Sequence, residues 1–167
     1  LGRMVALKFI RLTDPKMAQR FLNEARAQAR ITHDNICKVY EVGEVEGKVF
    51  IAMQLIDGMT LDKLGPTLSL HEKVLIIQMV AEAIHAAHKL GIIHRDLKPS
   101  NIMAQRGDDG RWQPVVMDFG LAREAGQSVG LTESGAVVGT PSYMSPEQAR
   151  GEVRSLDRRT DVYSLGA

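Results

Sequence analysis

The chain has 167 residues, of which 44% are hydrophobic and 25% charged, and its formal net charge is +1 at pH 7. These values are typical of one globular domain with a core of its own, and the balanced charge gives no argument for a nucleic-acid partner. The single cysteine, Cys37, excludes an internal disulfide framework and a cysteine-based metal site. We interpret it as a small residue of the core.

Apolar stretches are too short to span a membrane, which needs roughly 18–20 consecutive apolar residues. The longest one, residues 74–87, is interrupted by Gln78, Glu82 and His85. No signal peptide is visible, so we expect this segment to lie in the cytoplasm without membrane contact. Because the chain begins with Leu1 rather than Met, we interpret it as a fragment cut at both ends, which leaves room for an anchor elsewhere in a longer protein.

Residues 3–10 predict a β-strand, because Val5, Leu7 and Phe9 alternate with small or charged residues. The alternation places Lys8 on the face opposite these bulky side chains. Taken alone, a lysine in such a place is most often a solvated charge.

A helix is predicted to follow, with Asp14 as its N-cap and Pro15 at its first helical position. We expect it to end near Ile31. Glu24 lies beside the apolar stripe near the middle of the helix, where a glutamate is ordinarily solvated. The apolar stripe consists of Met17, Phe21, Leu22, Ala25 and Ala29.

Residues 39–43 and 48–55 predict two antiparallel strands, with Glu46 and Gly47 at the tip of the hairpin. Together with the first strand and the helix, they predict a small, mostly antiparallel sheet. The stretch 53–58 leads out of this sheet, and its residue types fit the end of a buried strand.

Ser69-Leu70-His71-Glu72 is a capping box that opens the best-defined helix of the chain. We expect this helix to be a central strut of a helical lobe and to end at Gly91. His85 and His88 are predicted to be a surface and a boundary residue, and no partner ligand is spaced for a zinc site. The predicted buried face is Ile77, Val80, Ala81, Ile84, Ala87 and His88.

The octet His94–Asn101 predicts a loop, because Pro99 is incompatible with a regular helix or a central strand. Ile92 and Ile93 predict a short buried strand before it, and apolar packing resumes at Ile102. A polar loop anchored at both ends is a common place for catalytic groups.

Further along, residues 107–110 predict a hairpin turn between strands at 101–105 and 113–117. After residue 120 the sequence as far as Tyr143 is rich in Gly, Ser and Thr. This composition predicts a long mobile loop. Short helices are predicted to start at residues 145–147 and at Asp161.

Five motifs in order along the chain resemble those of the protein kinase family in its serine/threonine form. The resemblance covers essentially the whole chain, and the stretches 139–143 and 149–151 look most like bacterial members. It implies an α+β, two-lobe kinase fold that is truncated. Residues 1–56 would be part of the small lobe without its glycine-rich loop, and residues 57–167 part of the large lobe without its last helices. The motifs are Val5-Ala6-Leu7-Lys8, His94–Asn101, Asp118-Phe119-Gly120, Ser145-Pro146-Glu147 and Asp161–Gly166.

The resemblance implies transfer of the γ-phosphate of ATP, with Mg²⁺, to serine or threonine hydroxyls of protein substrates. Asp96 would be the catalytic base that accepts the hydroxyl proton, and Lys98 would neutralise charge on the γ-phosphate. Asn101 and Asp118 would be the oxygen ligands of the magnesium ions.

The resemblance also implies how the nucleotide is held. Lys8 would contact the α- and β-phosphates, and Glu24 would pair with Lys8 and hold it in that pose. Met53 would be the gatekeeper, and the Gln54 carbonyl and Ile56 amide would recognise adenine through the main chain.

The resemblance also implies that His94 packs near the Asp-Phe-Gly turn. Arg95 would pair with a phosphate on the loop that follows this turn. Thr140 also matches a structural threonine of the family. The candidate phosphate acceptors are Ser128, Thr132, Ser134 and Thr140.

Two departures and two alternatives accompany the resemblance. The chain has no GxGxxG loop and lacks the arginine that normally pairs with a glutamate at Glu147, so we expect weak ATP binding and an exposed core face.

A non-catalytic, pseudokinase-like nucleotide-binding or scaffold module is disfavoured by the presence of Lys8, Asp96 and Asp118. A small-molecule phosphotransferase of related fold is disfavoured by the context of Lys98 and the Ser-Pro-Glu segment.

Overall fold

The computed structural model describes residues 2–10, 15–119, 141–152 and 155–167. Within these ranges the chain forms two three-stranded antiparallel sheets, each packed with α-helices around its own hydrophobic cluster. This is the expected α+β arrangement. None of the helices in the described ranges is long and apolar enough to cross a membrane.

The first sheet consists of β1 (Val5–Ile10), β2 (Val39–Val45) and β3 (Lys48–Gln54), with β3 in the centre. The predicted small antiparallel sheet is therefore confirmed. Leu7 and Phe9 lie on the outer face of β1 and are 56% and 55% exposed. Lys8 lies on the opposite face with Ala6 and Ile10, which pack against the cluster beneath the sheet.

The β2–β3 hairpin turns at Glu46 and Gly47, as predicted. Their φ angles are 50° and 69°, so both residues occupy the left-handed region that a two-residue hairpin turn of type I′ requires.

Helix α1 (Pro15–Gln28) packs against this sheet through Phe21 and Ala25, which are both fully buried. The helix ends at Gln28, earlier than expected, and the Ile31 amide closes the turn on the Gln28 carbonyl. The predicted stripe is wrong at Ala29, which is exposed, because Gln28 takes the buried position at this end. The predicted N-cap, Asp14, lies outside the described residues.

Helix α3 (Leu70–Lys89) begins at the predicted capping box: the Ser69 amide donates to Glu72 Oε2 at 2.9 Å, and the Glu72 amide donates to Ser69 Oγ. The predicted buried face was wrong at Ile77, which is 41% exposed. His85 is exposed and His88 half-buried, as expected. The observed buried face is Ile76, Val80, Ala83, Ile84 and Ala87.

Gly91 ends α3 with a φ of 74°, a conformation that glycine adopts without a side-chain clash. The Gly91 amide donates to the His88 carbonyl and the Ile92 amide to the Ala87 carbonyl, which together form a Schellman motif. Ile92 and Ile93 lie in irregular backbone, so the predicted strand there is wrong. The Ile92 amide is already used by the helix cap.

The second sheet consists of β4 (Met59–Thr60), β5 (Ile102–Arg106) and β6 (Trp112–Val116), and the predicted hairpin between the last two strands is confirmed. Backbone hydrogen bonds join it to the segment that leads into the first sheet: Cys37 donates to Val116, and Val116 donates to Asn35. The end of β6 is thereby fixed between the two hydrophobic clusters.

The described ranges contain three further α-helices: α2 (Leu61–Leu64), α4 (Pro146–Ala149) and α5 (Arg158–Gly166). The predicted start of α4 is confirmed. Helix α5 begins before the predicted Asp161, because Asp157 caps it by accepting a hydrogen bond from the Arg159 amide at 2.8 Å.

We predict that Gly91→Ala lowers the free energy of unfolding by about 1–2 kcal/mol, because an L-residue is strained at this positive φ. An added Cβ would meet nothing within 4 Å, so the cost is conformational rather than steric. Gly91→Asn is the matched control, since asparagine tolerates the left-handed region better. Urea unfolding should rank the variants Gly, Asn, Ala in falling stability; equal stability of all three would contradict this account of the cap.

Candidate active site

The predicted loop His94–Asn101, called the catalytic loop from here on, brings three polar side chains together. Lys98 Nζ lies 3.0 Å from Asp96 Oδ2, and the Asn101 side-chain amide donates to the Asp96 carbonyl at 2.7 Å and to Asp96 Oδ2 at 2.9 Å. A short 3₁₀ turn, Pro99–Asn101, sets this spacing. In this turn the backbone amide of Asn101 donates to the Lys98 carbonyl. The carboxylate, the ammonium and the side-chain amide therefore lie in one partly exposed cluster.

Asp118 follows β6 and lies next to the loop that carries this cluster. The Met117 amide donates to the Asn101 carbonyl at 2.9 Å, which places the residue before Asp118 directly against the catalytic loop. Asp118 has a φ of 56°, a left-handed conformation that is uncommon for residues other than glycine and often occurs at functional sites.

The ion pairs differ from those that the resemblance implied. Within the described residues, Lys8 Nζ pairs with Asp118 Oδ1 at 2.8 Å rather than with Glu24, so the expected Lys8–Glu24 pair is not formed in this structure. Glu24 Oε1 instead lies 3.7 Å from Arg95 Nη1. Arg95, the expected phosphate partner, here contacts a carboxylate.

His94 is fully buried beneath the loop and packs against Phe119, with ring centroids 4.6 Å apart, which confirms its expected place near the Asp-Phe-Gly turn. Its Nε2 lies 2.8 Å from the Met117 carbonyl, which can only accept, and its Nδ1 accepts from the Asp96 amide at 3.2 Å. Both contacts are satisfied by the neutral ring protonated at Nε2. Burial lowers the pKa of His94, which agrees with this neutral state.

Asp161 is a functional residue whose contacts the sequence reasoning missed. It is fully buried, and it accepts hydrogen bonds at 2.8 Å from the backbone amides of both His94 and Arg95. His88 Nε2 of α3 contacts the same carboxylate at 2.7 Å. The signal that the sequence offered for Asp161 was an acidic residue inside a predicted helix that is otherwise partly apolar.

The residues predicted to border and recognise adenine lie where the chain leaves the first sheet. Met53 and Ile56 are buried, and the Gln54 amide donates to the Lys38 carbonyl at 2.8 Å. The Gln54 carbonyl lies 3.7 Å from the thiol of Cys37, a weak contact that leaves its second lone pair for another donor.

Cys37 is buried in the cluster under the first sheet, as expected. Burial, and secondly the negative charge of Asp118, raises the pKa of the Cys37 thiol from its ordinary 9.0 to about 11. Gly120 and the four candidate phosphate acceptors lie outside the described residues. These acceptors are Ser128, Thr132, Ser134 and Thr140.

Comparison with known proteins identifies the family. The sequence model for the protein kinase domain matches residues 1–167. The chain belongs to the protein kinase family.

Named serine/threonine-protein kinases of bacteria are among its relatives. PknB of Mycobacterium leprae is 41% identical over 99% of this chain and 27% of that protein, and Pkn1 of Myxococcus xanthus is 39% identical over 99% and 24%. The crystal structure of the Mycobacterium tuberculosis PknI kinase domain matches with a TM-score of 0.76 at 28% identity, over 99% of this chain and 61% of that one. The chain thus spans about a quarter of these curated relatives and about three fifths of the solved kinase domain.

We predict that the Cys37 thiol of the native protein resists alkylation by iodoacetamide at pH 8, because it is buried and its pKa is raised. The folded state holds this proton more tightly than the unfolded state. The stability that the protonated Cys37 thiol gives the folded state is therefore present below pH 9, and it is lost as the pH rises from 9.0 toward 11.

Cys37→Val, which keeps an apolar side chain of similar size, is the control. The free energy of unfolding of the native protein should fall relative to this variant between those pH values. Native alkylation as fast as that of the urea-unfolded chain would contradict the prediction.

Proposed function

We propose that the protein carrying this chain is a serine/threonine protein kinase that transfers the γ-phosphate of ATP to hydroxyl groups of protein substrates. The observation that carries the proposal is the cluster of Asp96, Lys98 and Asn101, with Asp118 placed beside it by the Met117–Asn101 backbone hydrogen bond. The names of the bacterial relatives support it. We further propose that residues 1–56 and 57–167 are parts of the small and large lobes of this catalytic domain.

Asp96 is the proposed catalytic base. Its Oδ2 is already engaged by Lys98 and Asn101, so the carboxylate is fixed and its Oδ1 is the oxygen that can take the substrate hydroxyl proton. The hydroxyl oxygen forms its bond to the γ-phosphorus as the bond from phosphorus to the bridging oxygen of ADP breaks. Lys98 stabilises the negative charge on the transferring phosphate.

Lys8 and Glu24 are the proposed holders of the ATP phosphates, with adenine on the Gln54 carbonyl and the Ile56 amide. This requires Lys8 to exchange Asp118 for Glu24. The Glu24–Arg95 contact is long at 3.7 Å, and its side chains are 30% and 36% exposed. Such surface pairs contribute only about 0–1 kcal/mol, so releasing Glu24 from Arg95 costs little.

Mg²⁺ fits the donor set that Asn101 and Asp118 offer. The Asn101 amide nitrogen donates to Asp96, which leaves its side-chain oxygen as the group available to a cation. One carboxylate and one amide oxygen, completed by phosphate and water, are typical of magnesium sites. In the described part of the chain, no cluster of three or more His, Cys, Asp or Glu residues could hold a metal. When bound, the ion would neutralise phosphate charge.

We predict that Asp96→Asn lowers kcat by about 10²–10⁴-fold, because it removes the proton acceptor while keeping size and shape. The measurement is incorporation of ³²P from γ-labelled ATP into a generic protein substrate by the full-length protein. Asp108→Asn, an exposed change in the β5–β6 turn, is the control and should retain activity. Thermal unfolding should be similar in both variants. Full activity of Asp96→Asn would overturn the proposed mechanism.

A further inference from the structure

Gln148 in α4 reaches the catalytic loop, although none of the five motifs assigns it a role. Its side chain is 4% exposed, and both ends of its amide are used. Nε2 donates to the Arg95 carbonyl at 2.7 Å, and Oε1 accepts from the Ser145 amide at 3.1 Å. One buried amide therefore joins the start of α4 to the residue that precedes Asp96.

The Arg95 backbone needs such support. Its φ is 65°, and a left-handed conformation is strained for an L-residue. It persists only where the surroundings hold it. Asp161 holds the Arg95 amide at 2.8 Å, and Gln148 holds the Arg95 carbonyl. Because this conformation sets the direction in which the chain enters Asp96, the two contacts together orient the proposed base.

Helix α5 supports both contacts. Thr160, Asp161 and Ser164 are buried on it. Thr160 Oγ1 donates to Glu147 Oε1 at 2.8 Å, and Ser164 Oγ donates to the Tyr143 carbonyl at 2.8 Å. The segment that carries Gln148 is therefore fixed to the same helix that presents Asp161.

We propose that Gln148 is a positioning residue that couples the 141–149 segment to the catalytic loop by holding the Arg95 carbonyl. The inference rests on the proposed kinase function for its effect on catalysis. When the segment is in place, Gln148 fixes the Arg95 peptide and hence the Asp96 carboxylate. When the segment shifts, the peptide loses one of its two holders.

The test compares two substitutions in the full-length protein. Gln148→Met removes both hydrogen bonds at similar length, whereas Gln148→Glu keeps the oxygen that accepts from the Ser145 amide and removes the donor to Arg95. Gln78→Met is the control, because Gln78 is exposed and its side chain bonds to the exposed Glu82 side chain, away from the catalytic loop. The readouts are kcat and KM for ATP, and hydrogen exchange of residues 94–97 followed by mass spectrometry.

We expect both Gln148 variants to lower kcat by about tenfold, because both lose the hydrogen bond to the Arg95 carbonyl, with KM for ATP changed less than about twofold. Exchange at residues 94–97 should become faster in both and stay unchanged in Gln78→Met. A role confined to capping α4 would leave Gln148→Glu with normal kcat and normal exchange, and that result would overturn the proposal.

Hydrogen exchange does not depend on phosphate transfer, so the two proposals can fail separately. If the wild-type protein transferred no phosphate while the Gln148 variants still loosened residues 94–97, the proposed function would be overturned and the coupling retained. If phosphate transfer were normal in the wild type and exchange at residues 94–97 were unchanged in both variants, the coupling would be overturned and the function retained.

Discussion

The buried carboxylate of Asp161 is the constraint on which the geometry of the site depends. Removing a charged carboxylate from water costs several kcal/mol unless hydrogen bonds replace the lost hydration. Here two backbone amides of the catalytic loop and the ring of His88 provide that replacement. The loop and α5 therefore hold each other: the carboxylate needs the donors, and the strained Arg95 peptide needs the acceptor. Asp96, Lys98 and Asn101 project from a backbone that is fixed in this way.

The charged side chains around the loop are held much less firmly than its backbone. Lys8 contacts Asp118, and Glu24 contacts Arg95, at partly exposed positions where an ion pair adds little to stability. A phosphate near Arg95 would compete with Glu24 for the guanidinium, and nucleotide phosphates would compete with Asp118 for Lys8. We therefore expect the backbone of the site to stay in place while these pairs exchange partners.

Sequence reasoning predicted best what is decided locally. The Ser69–Glu72 capping box, the Glu46-Gly47 turn and the grouping of Asp96, Lys98 and Asn101 all depend on residues close together in the chain. The predicted buried face of α3 was wrong at Ile77 because residues 75–77 are all apolar, and only packing against other elements selects Ile76 over Ile77.

Contacts between distant residues could not be predicted in this way. Asp161 and His94 are 67 residues apart, and Gln148 and Arg95 are 53 apart. Nothing in the local sequence specifies either pair. The same limit applies to the Lys8–Glu24 expectation, because the partner of Lys8 in the structure, Asp118, lies far along the chain after β6.

The most direct test of the account is where the label from γ-³²P-ATP goes. Full-length protein is incubated with labelled ATP, Mg²⁺, a generic protein and a mixture of sugars and aminoglycosides, and the products are separated and hydrolysed. The account predicts phosphoserine and phosphothreonine in the protein fraction. Label on the small molecules alone, or no transfer at all, would contradict it.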